Sequence, residues 1–250
     1  MRQYTKLQCW KKGTKRIAAS MCGLAAAFFV SCMTPVTAQA ARPASCSAQE
    51  WEVLRLTNEK RIAKGVDAVS TFGDLQSACD VRAKELTQQF SHERPDGTVC
   101  FTALDGIDGT SMGENIAAGQ QTPALVVNAW WNSPGHKANM LNASFDHMGV
   151  GYCREANSSY GLYWVQMFVG GCNAEQITVN GASVVKNYKK GTSIRQMKRY
   201  ITVNCDLHGT SYLPLSEKMC SGYQANQTGT QTVTVHYKDM ETSFVVNVTK

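Results

Sequence analysis

Trp130-Trp131-Asn132-Ser133-Pro134-Gly135-His136-Lys137-Ala138-Asn139-Met140-Leu141 is the stretch on which the reading of the fold turns. Upstream of it, Pro123 opens a helix in its first turn, where a missing N–H costs nothing. Ala124, Val127, Trp130 and Trp131 then fall in helical register. Ser133-Pro134-Gly135 breaks that helix, because a proline ring clashes with the preceding turn. A second, short helical segment runs from His136 to Leu141.

Reading outward, Ser47 stands three residues before Glu50, the pattern of a capping box. Trp51, Leu54 and Ile62 continue a helical period to about Lys64, and a second helix is expected from about Asp74 to Phe90. On it Leu75, Ala78, Cys79, Arg82, Leu86 and Phe90 share a register. From Ser91 to Gly113 no period persists. That stretch includes the turn Arg94-Pro95-Asp96-Gly97, and a structureless run of this length is more often functional than idle. Asn115 is expected to cap a helix. Met148 to Cys153 and Leu162 to Val169 read as strands, the second with Tyr163, Val165 and Met167 on one face and Trp164, Gln166 and Phe168 on the other. Helices first and strands afterwards argue for α+β layers.

Beyond Asn173 the composition changes to short β-branched runs: Ile177 to Val179, Ser183 to Val185, Ile201 to Val203, Thr230 to Tyr237 and Ser243 to Val248. Turn pairs such as Asn180-Gly181 separate them, so a small all-β sandwich is expected. The domain plan is a signal peptide over 1–40, a lead-in over 41–46, an α+β domain over 47–172 and the β domain over 173–250.

The leader rests on charge and apolar order. Arg2, Lys6, Lys11, Lys12, Lys15 and Arg16 precede an apolar run from Ile17 to Val30 and the small-x-small site Ala38-Gln39-Ala40. That order describes secretion with cleavage after Ala40. The alternative is a lipoprotein box at Phe29-Val30-Ser31-Cys32, with Cys32 lipidated. Without the leader, nineteen basic residues face nineteen acids, so no charge excess calls for nucleic acid. The basic run from Lys186 to Arg199 is expected to be a solvated face. No later segment is apolar enough to span a membrane. Seven cysteines remain, and the pairings Cys153–Cys172 and Cys205–Cys220 are expected in an oxidising compartment. His147, His208 and His236 are expected at the surface.

Five ordered motifs carry a resemblance. They are Phe90-Ser91-His92; Gly113-Glu114-Asn115-Ile116-Ala117; the stretch from Trp131 to Leu141; Met148-Gly149-Val150-Gly151-Tyr152; and Tyr163 to Phe168. Together they resemble the CAP superfamily of cysteine-rich secretory, antigen 5 and pathogenesis-related 1 proteins, bacterial branch. The resemblance implies an α–β–α sandwich with a cleft holding His92, Glu114 and His136. A second acid of the family would sit where this chain has Ser133. Gln166 joins the ligand-binding candidates, with a buried glutamine satisfying backbone groups as the plainer alternative. Tyr188 to Thr192, Gly229 to Tyr237 and Phe244 to Val248 resemble a bacterial immunoglobulin-like domain, whose usual roles are spacing and adhesion.

Two imidazoles and a carboxylate suit several chemistries. His92 and His136 are the candidate metal ligands, for zinc or another divalent ion. One expectation is a non-enzymatic extracellular binding module for a small ligand, a metal or a cell-surface partner. The alternative is a zinc-dependent, peptidase-like hydrolase with Glu114 activating water.

Overall fold

The structure is a computed structural model, and it describes residues 42–250. The leader, its cleavage site and Cys32 lie outside the described residues. Helix α1 (Ala48–Ile62) begins with the expected capping box: the Ser47 amide donates to Glu50 Oε2 at 2.6 Å, and the Glu50 amide to Ser47 Oγ at 3.3 Å. Its buried stripe runs Val53, Leu54, Thr57, Asn58 and Arg61. The polar members are answered at each atom. Asn58 bonds the Val69 backbone in both directions, and the Arg61 guanidinium donates to the carbonyls of Asp67, Met140, Asn142 and Phe145. Burial holds the Arg61 pKa down to about 10.

Strands β1 (Ser111–Ala118), β2 (His147–Arg154) and β3 (Leu162–Gly170) form an antiparallel sheet in the order β1-β3-β2. Every residue of β3 is buried, because helices cover both faces. Trp164 and Phe168 pack with Val53 and Leu54 of α1, Val127 and Trp130 of α3 (Pro123–Asn132) and Met140 of α4 (Pro134–Met140). On the opposite face Tyr163, Val165 and Met167 meet Leu75, Ala78, Cys79 and Ala83 of α2 (Gly73–Glu85). The result is an α–β–α sandwich. Close approach of α2 to β2 explains the alternate glycines of Met148 to Tyr152. A Cβ at Gly151 would lie 2.0 Å from the Cys79 carbonyl oxygen, and one at Gly149 would lie 2.5 Å from Cys79 Sγ.

Several expectations change here. Helix α2 ends at Glu85 instead of Phe90, and the chain turns back so that the Ser91 carbonyl accepts from Arg82. Asn115 caps no helix: it lies in the middle of β1 and is buried there. That strand carries no alternation to betray it, since Gly113 to Ala117 are buried on both faces. His147 opens β2 and is 2% exposed, because the second half of the chain folds over that end of the sheet.

That second half holds two sheets. One has the order β4-β6-β7, from β4 (Ala174–Val179), β6 (Tyr200–Cys205) and β7 (Gly209–Pro214); the other has the order β5-β10-β9-β8, from β5 (Lys186–Lys189), β8 (Cys220–Ser221), β9 (Gly229–Tyr237) and β10 (Met240–Thr249). Their inward residues alternate along the strands: Ile201 and Val203; Val233 and Val235; Phe244, Val246 and Val248. Ser183 to Val185 is not a strand, and Val184 and Val185 stand exposed in a turn region before β5. Arg199, within the basic run, is buried and donates to the Asn180, Gly181 and Val184 carbonyls.

The disulfide is Cys172–Cys205, with Cα atoms 6.2 Å apart. Neither expected pairing forms. Cys153 pairs in register with Tyr163 at one end of the sheet, whereas Cys172 follows the other end of β3. Nine residues of strand separate those ends, about 30 Å. Cys220 belongs to β8, in the sheet that does not contain Cys205.

Candidate functional site

Helix α2 buries Leu75, Ala78, Cys79 and Arg82 on one face, so an arginine lies where the pattern calls for an apolar side chain. Its partner is Glu114 of β1: Arg82 Nε donates to Glu114 Oε1 at 2.9 Å, and both side chains are shielded from solvent. Arg82 Nη1 reaches Glu85 Oε2 at 2.9 Å, and Arg94 donates to both oxygens of Glu85. Burial disfavours the charged guanidinium of Arg82, yet its bonds to Glu114 and Glu85 outweigh that and raise its pKa. The other oxygen of Glu114 is 2.6 Å from His92 Nδ1. The His92 side chain is 59% exposed against 1% for Glu114. A buried carboxylate therefore grips one nitrogen of an imidazole that otherwise faces water. Cys100, at the start of a short 3-10 helix (Cys100–Leu104), completes a cluster with His92 and Glu114 whose ligating atoms lie within 4.8 Å of one another. Burial, then the Glu114 charge, pushes the Cys100 thiol up to about 12, so it is no nucleophile at neutral pH.

His136 arrives from the other side, in the first turn of α4. A polar network straps that helix to β1. Asn139 Nδ2 donates to the Glu114 carbonyl at 3.1 Å and to Asn115 Oδ1 at 2.9 Å, and Asn115 Nδ2 donates to the His136 carbonyl and to Gln166 Oε1, each at 3.1 Å. Gln166 Nε2 ends the chain on Thr57 Oγ1 at 2.9 Å. Gln166 is thus fully buried and spends its side chain on Asn115 and Thr57. Gly113 has a steric reason too, since a Cβ there would meet Phe145 at 2.8 Å. His136 is held below its ordinary pKa by burial and then by the charge of His92, so the two imidazoles feel each other electrostatically.

Beside His136 runs a groove of about 310 Å³, lined by Phe90, Ile116, Ala118, Gln120, Trp130, Ser133 and Tyr160. Phe90 is 43% and Tyr160 53% exposed, and their rings lean together with centroids 5.6 Å apart. Gln120 Oε1 is buried there and has no hydrogen-bond partner. Ser133 sits at the α3–α4 corner, its hydroxyl making no cap bond to α4.

Residues 54–168 match the family described as the cysteine-rich secretory protein family, abbreviated CAP. This segment is a CAP domain. Downstream, residues 200–248 match the bacterial Ig-like domain (group 3), so the chain joins a CAP domain to a bacterial Ig-like domain. Over 132 residues it is 37% identical to the uncharacterized protein YkwD of Bacillus subtilis (strain 168), covering 51% of this chain and 49% of that one. The chain spans about half the length, or less, of the curated relatives it matches. Among solved structures, an extracellular protein containing an SCP domain from Bacillus anthracis str. Ames is similar with 24% identity and a TM-score of 0.44, over 49% of this chain and 40% of that one. An outer surface protein from Borrelia burgdorferi gives 22% and 0.42, over 47% of this chain and 89% of its own.

Within the CAP domain, the donor set decides what a divalent metal would find. Glu114 already accepts from Arg82 through one oxygen and faces His92 through the other. It is placed as an orienting partner behind an imidazole, the common arrangement behind metal-binding histidines. His92 keeps Nε2 for a ligand. His92 Nε2 is therefore the donor that Glu114 leaves open in the His92–Cys100–Glu114 group, which does not include His136. Arg82 and Cys100 were not among the sequence candidates, although an arginine in the apolar register of α2 was a visible signal that a buried acid awaited it.

Proposed function

We propose that the CAP domain is an extracellular binding module, whose cleft receives a small ligand with an apolar body and a hydrogen-bond donor. The arrangement of Glu114 carries this reading. Its two oxygens are engaged by Arg82 and His92, which leaves no free carboxylate poised as a general base. Beside it, the aromatic groove offers Tyr160 and Phe90 for apolar contact and the unpartnered Gln120 Oε1 for a donor. A divalent ion such as zinc would be held by His92 through Nε2 and by His136, and would supply Lewis-acid attraction for a polar ligand atom. Glu114 fixes the His92 ring, and Ser133 lines the groove floor next to His136.

Export is the setting in which this makes sense. The leader reading and the Cys172–Cys205 disulfide support it. The Ig-like domain would then serve as a spacer presenting the cleft to a cell-surface partner.

Titration with a series of linear and cyclic alcohols, followed by NMR shifts of the groove side chains, tests the reading. Saturable binding is expected, weakened about tenfold or more by His136→Ala and by Tyr160→Ala. Equal affinity in the parent and both variants would remove the groove from consideration. Hydrolysis of a peptide library by the parent but not by His136→Ala would move the function to catalysis.

A further inference from the structure

A second pair of histidines, sharing no residue with the His92 group, lies where β2 of the CAP domain meets the loop between β6 and β7. One ligating atom from each of His147, Cys172, Cys205 and His208 falls within 4.8 Å of all the others. We propose that, when Cys172 and Cys205 are reduced, these four side chains form a tetrahedral site for one Zn²⁺ ion.

Hydrogen bonding fixes which nitrogen His208 offers and allows the matching choice at His147. Ser211 Oγ reaches the Val203 carbonyl at 3.2 Å and Ser70 Oγ at 2.8 Å, so when it donates to the carbonyl it accepts from Ser70. In that arrangement Ser70 accepts from His147 Nδ1–H at 2.9 Å. Nε2 of His147 is left with a bare lone pair, 3.7 Å from Cys205 Sγ. His208 is fixed in the opposite sense. Its Nε2–H donates to the Asp108 carbonyl at 2.8 Å, and Nδ1 is buried with no hydrogen-bond partner. Each ring is thus held by an oxygen behind it and turns an unused lone pair inward, as ligating histidines do. An orphaned acceptor in a dry place costs free energy unless something answers it.

Distances and packing agree. A tetrahedron with Zn–S of about 2.3 Å and Zn–N of about 2.0–2.1 Å has edges of about 3.3–3.8 Å, and the His147–Cys205 separation already matches one of them. Phe72 stacks on His208 with centroids 4.4 Å apart and meets His147 edge-on at 5.1 Å, which orients both rings and walls off water. Asp206 pins the loop by accepting from the Asn173 amide and side chain. Two thiolates and two neutral imidazoles around Zn²⁺ give a net charge of zero, suited to a buried seam.

The sulfurs cannot serve both bonds. An external dithiol opens Cys172–Cys205 by thiol–disulfide exchange; the protein gains two electrons and two protons, and the reductant leaves as its own disulfide. Zinc entry then releases the two S–H protons to solvent and forms two Zn–S bonds. Metal-bound and disulfide-bonded chains are therefore alternative states of one seam.

The test uses the full chain reduced with a dithiol, freed of it under nitrogen and titrated with Co²⁺. Uptake of one equivalent with tetrahedral ligand-field bands and sulfur-to-cobalt charge transfer is expected, with displacement by Zn²⁺. The oxidised chain and the Cys172→Ser/Cys205→Ser chain should show no charge transfer, and Cys153→Ser, at a free cysteine outside the group, should match the parent. Because the double variant risks misfolding, alkylation mapped by mass spectrometry on the reduced parent gives a second reading. Zinc should abolish labelling of Cys172 and Cys205 while leaving Cys153 and Cys220 unaffected. Charge transfer that survives the double substitution, or labelling of the pair that ignores zinc, overturns the site.

Discussion

The CAP domain buries charge, while the β-rich half that follows keeps its interior almost wholly apolar. Glu50, Arg55, Arg61, Arg82 and Glu114 are buried in the first; among the described residues beyond 172, Arg199 is the one buried carboxylate, ammonium or guanidinium. The first half is specified by donor–acceptor pairs with fixed geometry, the second by filling a space with alternating β-branched and aromatic side chains. Buried polar pairs position groups at defined distances, which a binding cleft needs. Apolar packing makes a sturdy support and tolerates exchange.

The largest effect that separates the halves is expected at Arg82. Removing its guanidinium by Arg82→Met leaves Glu114 buried without a counter-charge, at a cost of about 3–5 kcal/mol in chemical denaturation. Even Arg82→Lys should be damaging, because one ammonium cannot reach Glu114, Glu85 and the Ser91 carbonyl together. A loss below about 1 kcal/mol for Arg82→Met would show that the pair is effectively solvated and would break the contrast.

A middle-sized effect concerns pH. Burial, then the charge of Asp80, raises the Glu50 carboxyl to about 7. Between its ordinary range and pH 7 the folded chain holds a proton that the unfolded chain has released. Stability from this residue is therefore present below about pH 4.5 and is lost as pH rises through 7. After allowance for partial solvation the change is about 1–2 kcal/mol. Glu50→Gln, which keeps an acceptor for the Ser47 amide, should flatten that part of the pH–stability curve. An unchanged slope would assign it to other groups.

The smallest effect should come from the β-rich half. Leu213 is fully buried there, yet Leu213→Met conserves volume and should cost less than about 1.5 kcal/mol. A cost rivalling that of Arg82→Lys would mean that this half, too, depends on specific shape.

The same difference decided what could be read from sequence. β9 and β10 were legible because Val233, Val235, Phe244, Val246 and Val248 fall on alternate positions of β-branched runs, and one face is all that such strands bury. The capping box of α1 and the two faces of β3 were legible for comparable local reasons. β1 was not: a strand with Glu114 and Asn115 at its centre has no periodic signature, since its polar groups are answered by Arg82, Asn139 and Gln166 from distant segments. His92, Glu114 and His136 were named through the order of motifs, while Arg82 and Cys100 entered only once α2 and the 3-10 helix lay against β1. The cysteine pairing needed the sheet register, which puts Cys153 and Cys172 at opposite ends.

The Cys172–Cys205 bond also shapes how the molecule bears tension. It joins the residue just beyond the last CAP strand to the end of β6, beside the point where Ala174 of β4 pairs with Cys205. A pull delivered through the β-rich half would otherwise unzip β4 from β6 one ladder rung at a time. With the sulfurs bonded, that load bypasses the ladder and passes covalently into the loop after β3, so the joint resists peeling until the linkage is reduced.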